Sequence, residues 1–235
     1  MNLGVFVGAL SGASIEFFET AAIAYAIARS GYHREAILGT IAGLAVVGLA
    51  AATLGTGLQQ LIPLQFLQIA IGILLLWFGW GWVKKSVLRQ VKGKRAGWID
   101  QPLQAEGIVL ERRRQGFSRL NFVVMVKSAA LEGLEVAIVV ITLGLGSKAW
   151  SEALWGAVLA LSLTVAVVAV LHGHLLKVPE VLIKLSAGVM LMAFGTFWLG
   201  EGVGLAWPFE DFSLLGLIGL YGFICFVTIQ WLRAK

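Results

Sequence analysis

Charge is scarce in this chain, and each further shortage removes a class of protein. Asp, Glu, Lys and Arg make up 13% of 235 residues, against roughly 25% in soluble domains, which excludes an ordinary soluble fold. A single cysteine, Cys225, excludes an intramolecular disulfide and a thiolate metal cluster. The zinc-protease pattern H-E-x-x-H is absent, and the segment "SGAS" at 11–14 has no histidine on a matching helix. An intramembrane enzyme is therefore not expected. The first apolar run has no basic leader, and Glu16 and Glu19 interrupt its centre, so it reads as a retained helix and not a cleaved signal.

Apolar residues fill the space that charge leaves. They make up 59% of the chain, and the mean hydropathy is +0.88. Runs of about 20 residues, enough to span the hydrocarbon, lie at roughly 3–28, 36–57, 61–83, 120–145, 152–172, 179–200 and 213–232. The expected fold is an all-α polytopic membrane protein of seven transmembrane helices, in contact with the lipid bilayer.

The net charge of +5 comes from the way the connections alternate in sign, which gives no reason to expect nucleic acid. Arg29, Arg34, Lys84, Lys85, Arg89, Lys92, Arg112–Arg114, Lys177, Lys184 and Arg233 fall on one side. Lys148 alone, with Glu152, Glu201, Glu210 and Asp211, falls on the other. The excess of basic residues in cytoplasmic loops predicts an external N-terminus and a cytoplasmic C-terminus, in a plasma or inner membrane. Tryptophans near span ends, including Trp80, Trp82, Trp155, Trp198, Trp207 and Trp231, are expected in interfacial belts.

The sequence also repeats itself at an offset of 116 residues. Glu16 and Glu19 fall on Glu132 and Glu135, Phe6 on Phe122, Pro63 on Pro179, Gly72 on Gly188, Leu75 on Leu191 and Gly79 on Gly195. Three helices per copy is an odd number, so the copies enter the membrane from opposite sides. The arrangement is an inverted 3+3 repeat plus one helix, an architecture that places substrate sites at the midplane between halves. The expected divisions are repeat 1 over 1–83, a basic cytoplasmic linker over 84–119, repeat 2 over 120–202, and the seventh helix with the C-terminus over 203–235.

The carboxylates of each pair stand three residues apart, so each pair projects from one helix face near the middle of its span. A central acidic residue costs about 2.5 to 3.5 kcal/mol to insert, so four of them must be protonated, paired or metal-bound. Symmetry would gather Glu16, Glu19, Glu132 and Glu135 into an oxygen-only cage, which suits hard cations such as Ca²⁺, Mg²⁺, Mn²⁺ or Fe³⁺. Each carboxyl can carry a proton or face a cation, so cation binding and proton release are linked. Lys127, whose repeat mate is Ser11, either pairs with an acid or snorkels to the surface. Ser11, Ser128 and Thr20 are candidate accessory oxygens, although such hydroxyls commonly bond the backbone four residues earlier. Gln65 and Gln68 are candidates to line a vestibule, and His172 and His174 point to nearly opposite faces of a helix.

The stretches "LEGLEVAIVVITLG" (131–144) and "IEFFETAAIAYAIARSGYHREAILGTIAGL" (15–44) resemble the oxidase-dependent high-affinity iron permeases, whose segment reads R-E-G-L-E-A. The resemblance extends to seven helices, an external N-terminus and E-x-x-E on helices one and four. It implies that the four glutamates bind and pass a metal, with no permanently bound cofactor. The family arginines are replaced here by Ile15 and Leu131. The expected function is transport of a di- or trivalent metal cation (Fe, Mn or Ca). A cation/proton exchanger for Ca or Mn is the second reading, and a structural or receptor membrane subunit the third. Homo-oligomerisation is left open.

Overall fold

The computed structural model describes residues 2–61, 63–94, 102–105, 107–110, 116–171, 180–208 and 212–234. Among these there is no β-strand. Seven long helices carry the fold: α1 (Leu3–Arg29), α2 (His33–Leu61), α3 (Leu64–Lys92), α4 (Arg119–Ser147), α5 (Trp150–Leu171), α6 (Glu180–Gly202) and α7 (Ser213–Arg233). A helical turn, Pro102–Ala105, packs on α1 within the connection from α3 to α4. All seven long helices contain a stretch apolar and long enough to cross a bilayer, and the protein is an integral, multi-pass membrane protein. His172, His174 and Lys177 lie outside the described residues, as do Glu210 and Asp211.

Helix packing follows the internal repeat. Exchanging α1 with α4, α2 with α5 and α3 with α6 turns the α2–α4 interface into α5–α1, α1–α2 into α4–α5, and α1–α6 into α4–α3, and each of these six interfaces is present. The α1–α4 and α3–α6 interfaces map onto themselves, so both lie on the pseudo-twofold axis. Burial agrees, because α2 and α5 are each 22% buried over their spans while α1 and α4 are 67% and 56% buried. The paired α1 and α4 form the centre, and α7, 6% buried, leans on α3 and α6 from outside.

Small residues set these contacts. In a bilayer, water does not drive helices together, and close backbone packing takes its place. On α3 and α6 the contacts are reciprocal. A methyl group at Gly72 would lie 2.8 Å from the Gly195 carbonyl oxygen, and one at Gly79 would lie 2.8 Å from that of Gly188. Gly195 and Gly188 meet the carbonyls of Gly72 and Gly79 in return. Since Gly72 and Gly79 are the repeat mates of Gly188 and Gly195, this is one contact made twice.

The helix starts are also matched. Asn2 and Ser118, again 116 residues apart, cap α1 and α4 by accepting from the N–H groups of Val5 and Asn121, each at 3.2 Å. The backbone N–H of each cap then donates to a carboxylate in the first turn of the other half's second helix. Asn2 N–H donates to Glu152 Oε1 at 3.1 Å, and Ser118 N–H to Glu35 Oε1 at 2.6 Å. Both anions sit where a helix N-terminus attracts negative charge.

Two features differ from the sequence expectation. Helix α3 continues to Lys92, well past the expected span end at 83. Val83, Val87 and Val91 recur every four residues and pack on Leu185, Val189, Cys225 and Ile229, so the basic segment "KKSVLRQVK" extends the helix with one apolar face. The helix stops at Gly93, whose φ of +58° suits glycine. Among the tryptophans, Trp80, Trp155 and Trp231 are exposed, but Trp82 and Trp198 are buried in the core. Trp198 lies over the space beside Gly146, where a Cβ would come within 2.6 Å of the indole.

Candidate metal site

The central helix pair brings the two carboxylate motifs together. Glu16 and Glu19 on α1 and Glu132 on α4 each offer an oxygen within 4.8 Å of the other two. All three are buried, and Glu16 is completely excluded from solvent. Glu135, half-buried one helical turn further along α4, stands outside that group. Close approach of the helices is allowed locally by Gly12, where a methyl group would lie 3.1 Å from Val139. Gly133, next to Glu132, similarly admits Leu44 of α2.

Two of the sequence-based accessory hydroxyls are bonded to their own helix. Ser11 donates to the Val7 carbonyl at 2.6 Å, and Thr20 to that of Glu16 at 2.9 Å. Both hydroxyls are used by the backbone four residues earlier, a common arrangement in helices. Ser128 is half-buried, and Lys127 is exposed on α4. The positions of the family arginines differ from each other, because Ile15 is fully buried while Leu131 faces outward.

The cation at the glutamates is Lys184, on α6. Its Nζ donates to Glu19 Oε1 at 2.8 Å and lies 3.2 Å from Glu16 Oε1. The contact with Glu16 is an ion pair without hydrogen-bond alignment, and neither Glu16 oxygen has a hydrogen bond. The ammonium also lies 5.2 Å from the centroid of the buried Trp82 ring, within cation–π range. Glu135 interacts electrostatically with both Lys184 and the Trp82 side chain. In the sequence, Lys184 reads as part of the cytoplasmic charge at a turn. The missed signal is its register, since Ala187, Gly188 and Leu191 on the same helical face are all buried.

With all groups ionised, three carboxylates and one ammonium leave the cluster with two uncompensated negative charges. At 4.8 Å and an effective dielectric of about 20, each carboxylate pair repels by about 3 kcal/mol. A cation bound between them relieves all three repulsions at once. Glu16, completely buried, meets the Lys184 ammonium at 3.2 Å and faces the Glu132 carboxyl of the other half, and these neighbours offset the cost of its burial.

A cavity of about 720 Å³ opens at the end of the bundle where α1 and α3 begin and α4 and α6 finish. Gln68 and Glu201 line it and are joined by a 2.8 Å hydrogen bond from Gln68 Nε2. Met190 also lines it, and Ser11 contacts the Met190 sulfur at 3.7 Å. On α1 the cavity reaches Val7, nine residues or about 13 Å of helix before Glu16. The repeat mates of Gln68 and Glu201 are Lys184 and Lys85. The two halves thus differ at matched positions, with an amide and a carboxylate at the cavity, which Lys148 also lines, and two lysines in the other half.

The family model for the ferrous iron uptake permease, iron-lead transporter, matches residues 1–230. No curated protein and no solved structure matches the chain.

Proposed function

We propose, for a chain that belongs to the ferrous iron uptake permease and iron-lead transporter family, that the metal it transports binds between α1 and α4 at Glu16, Glu19 and Glu132, with Glu135 beside them. Membership makes the protein a metal transporter. Ferrous iron is the first candidate, since the matching family model describes a ferrous iron uptake permease and carboxylate oxygens suit a divalent cation. The observation that carries this reading is the completely buried Glu16, with two carboxylates from both halves within 4.8 Å and no hydrogen bond of its own.

The cation approaches through the cavity holding Gln68 and Glu201. The basic residues gather at the opposite end of the helices, which supports an external cavity end, and the family's description as an uptake permease supports inward movement. A resident cofactor has no place in this scheme, and the metal is the cargo.

Uptake of Fe²⁺ by the purified protein in liposomes, under reducing conditions, tests the reading. Wild type should take up Fe²⁺, and Glu16→Gln and Glu132→Gln should abolish uptake while remaining folded. Normal uptake by both variants would refute the site. Preference for Ca²⁺ or Mn²⁺ over Fe²⁺ in the same assay would point to the exchanger reading instead.

A further inference from the structure

We propose that Lys184 acts as a tethered competitor which holds the glutamate site against monovalent cations and yields it to multivalent ones. The inference rests on the metal site proposed above and assigns its selectivity to a residue outside the E-x-x-E motifs.

The structure shows the ammonium in the site: Nζ is shared between Glu19 and Glu16 at 2.8 and 3.2 Å, among the carboxylates proposed to hold the metal. A divalent cation bound to these carboxylates at about 2.0 to 2.6 Å would stand close to the ammonium, and the repulsion between the two cations sets them in competition. The buried Trp82 ring already lies 5.2 Å from Nζ in this position, and Glu135 interacts electrostatically with Lys184, so an ammonium leaving the Glu16–Glu19 pair keeps favourable neighbours. A rotation of the long lysine side chain lets the ammonium leave that pair while Trp82 and Glu135 stay beside it. The fourth glutamate then balances the displaced lysine, which accounts for its standing outside the 4.8 Å group.

Selectivity follows from charge and tethering. Na⁺ or K⁺ brings the same single charge as the ammonium, and the ammonium is held at high effective concentration by its own chain. A monovalent ion therefore gains little by displacing it. A divalent ion brings twice the charge and meets three carboxylates, so it wins. The matched position in the other half is Gln68, which is neutral and bonded to Glu201 in the cavity. Only one side of the pseudo-symmetric site carries the guard.

Three variants test the proposal in liposomes. Lys184→Met should lower the KM for Fe²⁺ about tenfold, reduce kcat because release slows, and make Fe²⁺ uptake newly sensitive to competition by Na⁺. Lys184→Arg should restore resistance to Na⁺. Lys184→Gln, which removes the charge and keeps a polar side chain, should behave as Lys184→Met. Unchanged Na⁺ sensitivity in Lys184→Met, with Glu16→Gln inactive, overturns the tethered-competitor role and leaves the metal site standing. Normal uptake in Glu16→Gln overturns the site itself. If Lys184→Met does not fold, unchanged Na⁺ sensitivity in Lys184→Gln overturns the proposal.

Discussion

The two carboxylates that seal the starts of α1 and α4 make the same bond in different surroundings, and that difference can be measured. Glu35 and Ser118 are buried, at 4% and 3% exposure, and the Glu35 oxygen accepts the Ser118 N–H at 2.6 Å. Replacing Glu35 by Ala removes a charge-assisted hydrogen bond worth about 1.5 to 3 kcal/mol and takes the carboxylate acceptor from a buried N–H. It also removes the anion facing the positive end of α4. Together these predict a loss of about 2 to 3 kcal/mol, or about 5 to 10 °C in Tm for a chain of this length. Glu35→Gln keeps an acceptor without the charge and should lose about half as much. Glu152 makes the equivalent bond to Asn2 from a less buried position and is also hydrogen-bonded by Ser151. Water can replace it, so Glu152→Ala should leave Tm within error of wild type. Thermal unfolding of detergent-solubilised protein, followed by tryptophan fluorescence, compares the three. Equal losses in Glu35→Ala and Glu152→Ala would show that burial does not set the strength of these bonds, and the reasoning fails.

Adding Fe²⁺ or Mn²⁺ should raise the Tm of wild type, and Glu16→Gln and Glu132→Gln should remove that rise, as scanned fluorescence with and without metal would reveal. Protons compete with the metal for the same carboxylates, so apparent affinity should weaken steadily as pH falls from neutral into the carboxylate range; titration calorimetry across that range checks the sign. Gly72→Leu places side-chain atoms against the α6 backbone, where a Cβ already comes within 2.7 Å of Leu199 N, and should prevent recovery of monodisperse protein by size-exclusion chromatography. Gly216→Leu on α7 meets open space and should behave as wild type in the same column.

Membrane sequences reveal some features more readily than others, and the examples here divide by physical cause. Spans were legible because a bilayer demands about 20 apolar residues, and the ends of α4 and α7 fall within two residues of those expected. The end of α3 was not, because past Val83 the helix is amphipathic and its apolar side is satisfied by α7 and α6, which no hydropathy window sees. The pairing of Glu16 and Glu19 with Glu132 followed from one offset and one symmetry argument. Lys184 escaped the same reasoning because its mate is glutamine, so the repeat offered no matching charge to flag it. Trp82 and Trp198 escaped because their positions near span ends suit either an interface or a packed core, and small neighbours such as Gly146 decide which.

The mismatch between Lys184 and Gln68, and between Lys85 and Glu201, bears on direction. Two identical halves facing opposite ways would present a cation with the same landscape from either end, and such a passage has no electrical preference. Two substitutions at matched depth break the tie. Glu201 places a carboxylate at the cavity, which Lys148 also lines, while the matched positions of the other half hold Lys184 and Lys85, so the two halves present different fields. A frame built by duplication thereby acquires polarity without any change in its backbone. Exchanging the residues between mates would turn that field around while leaving the helices where they are.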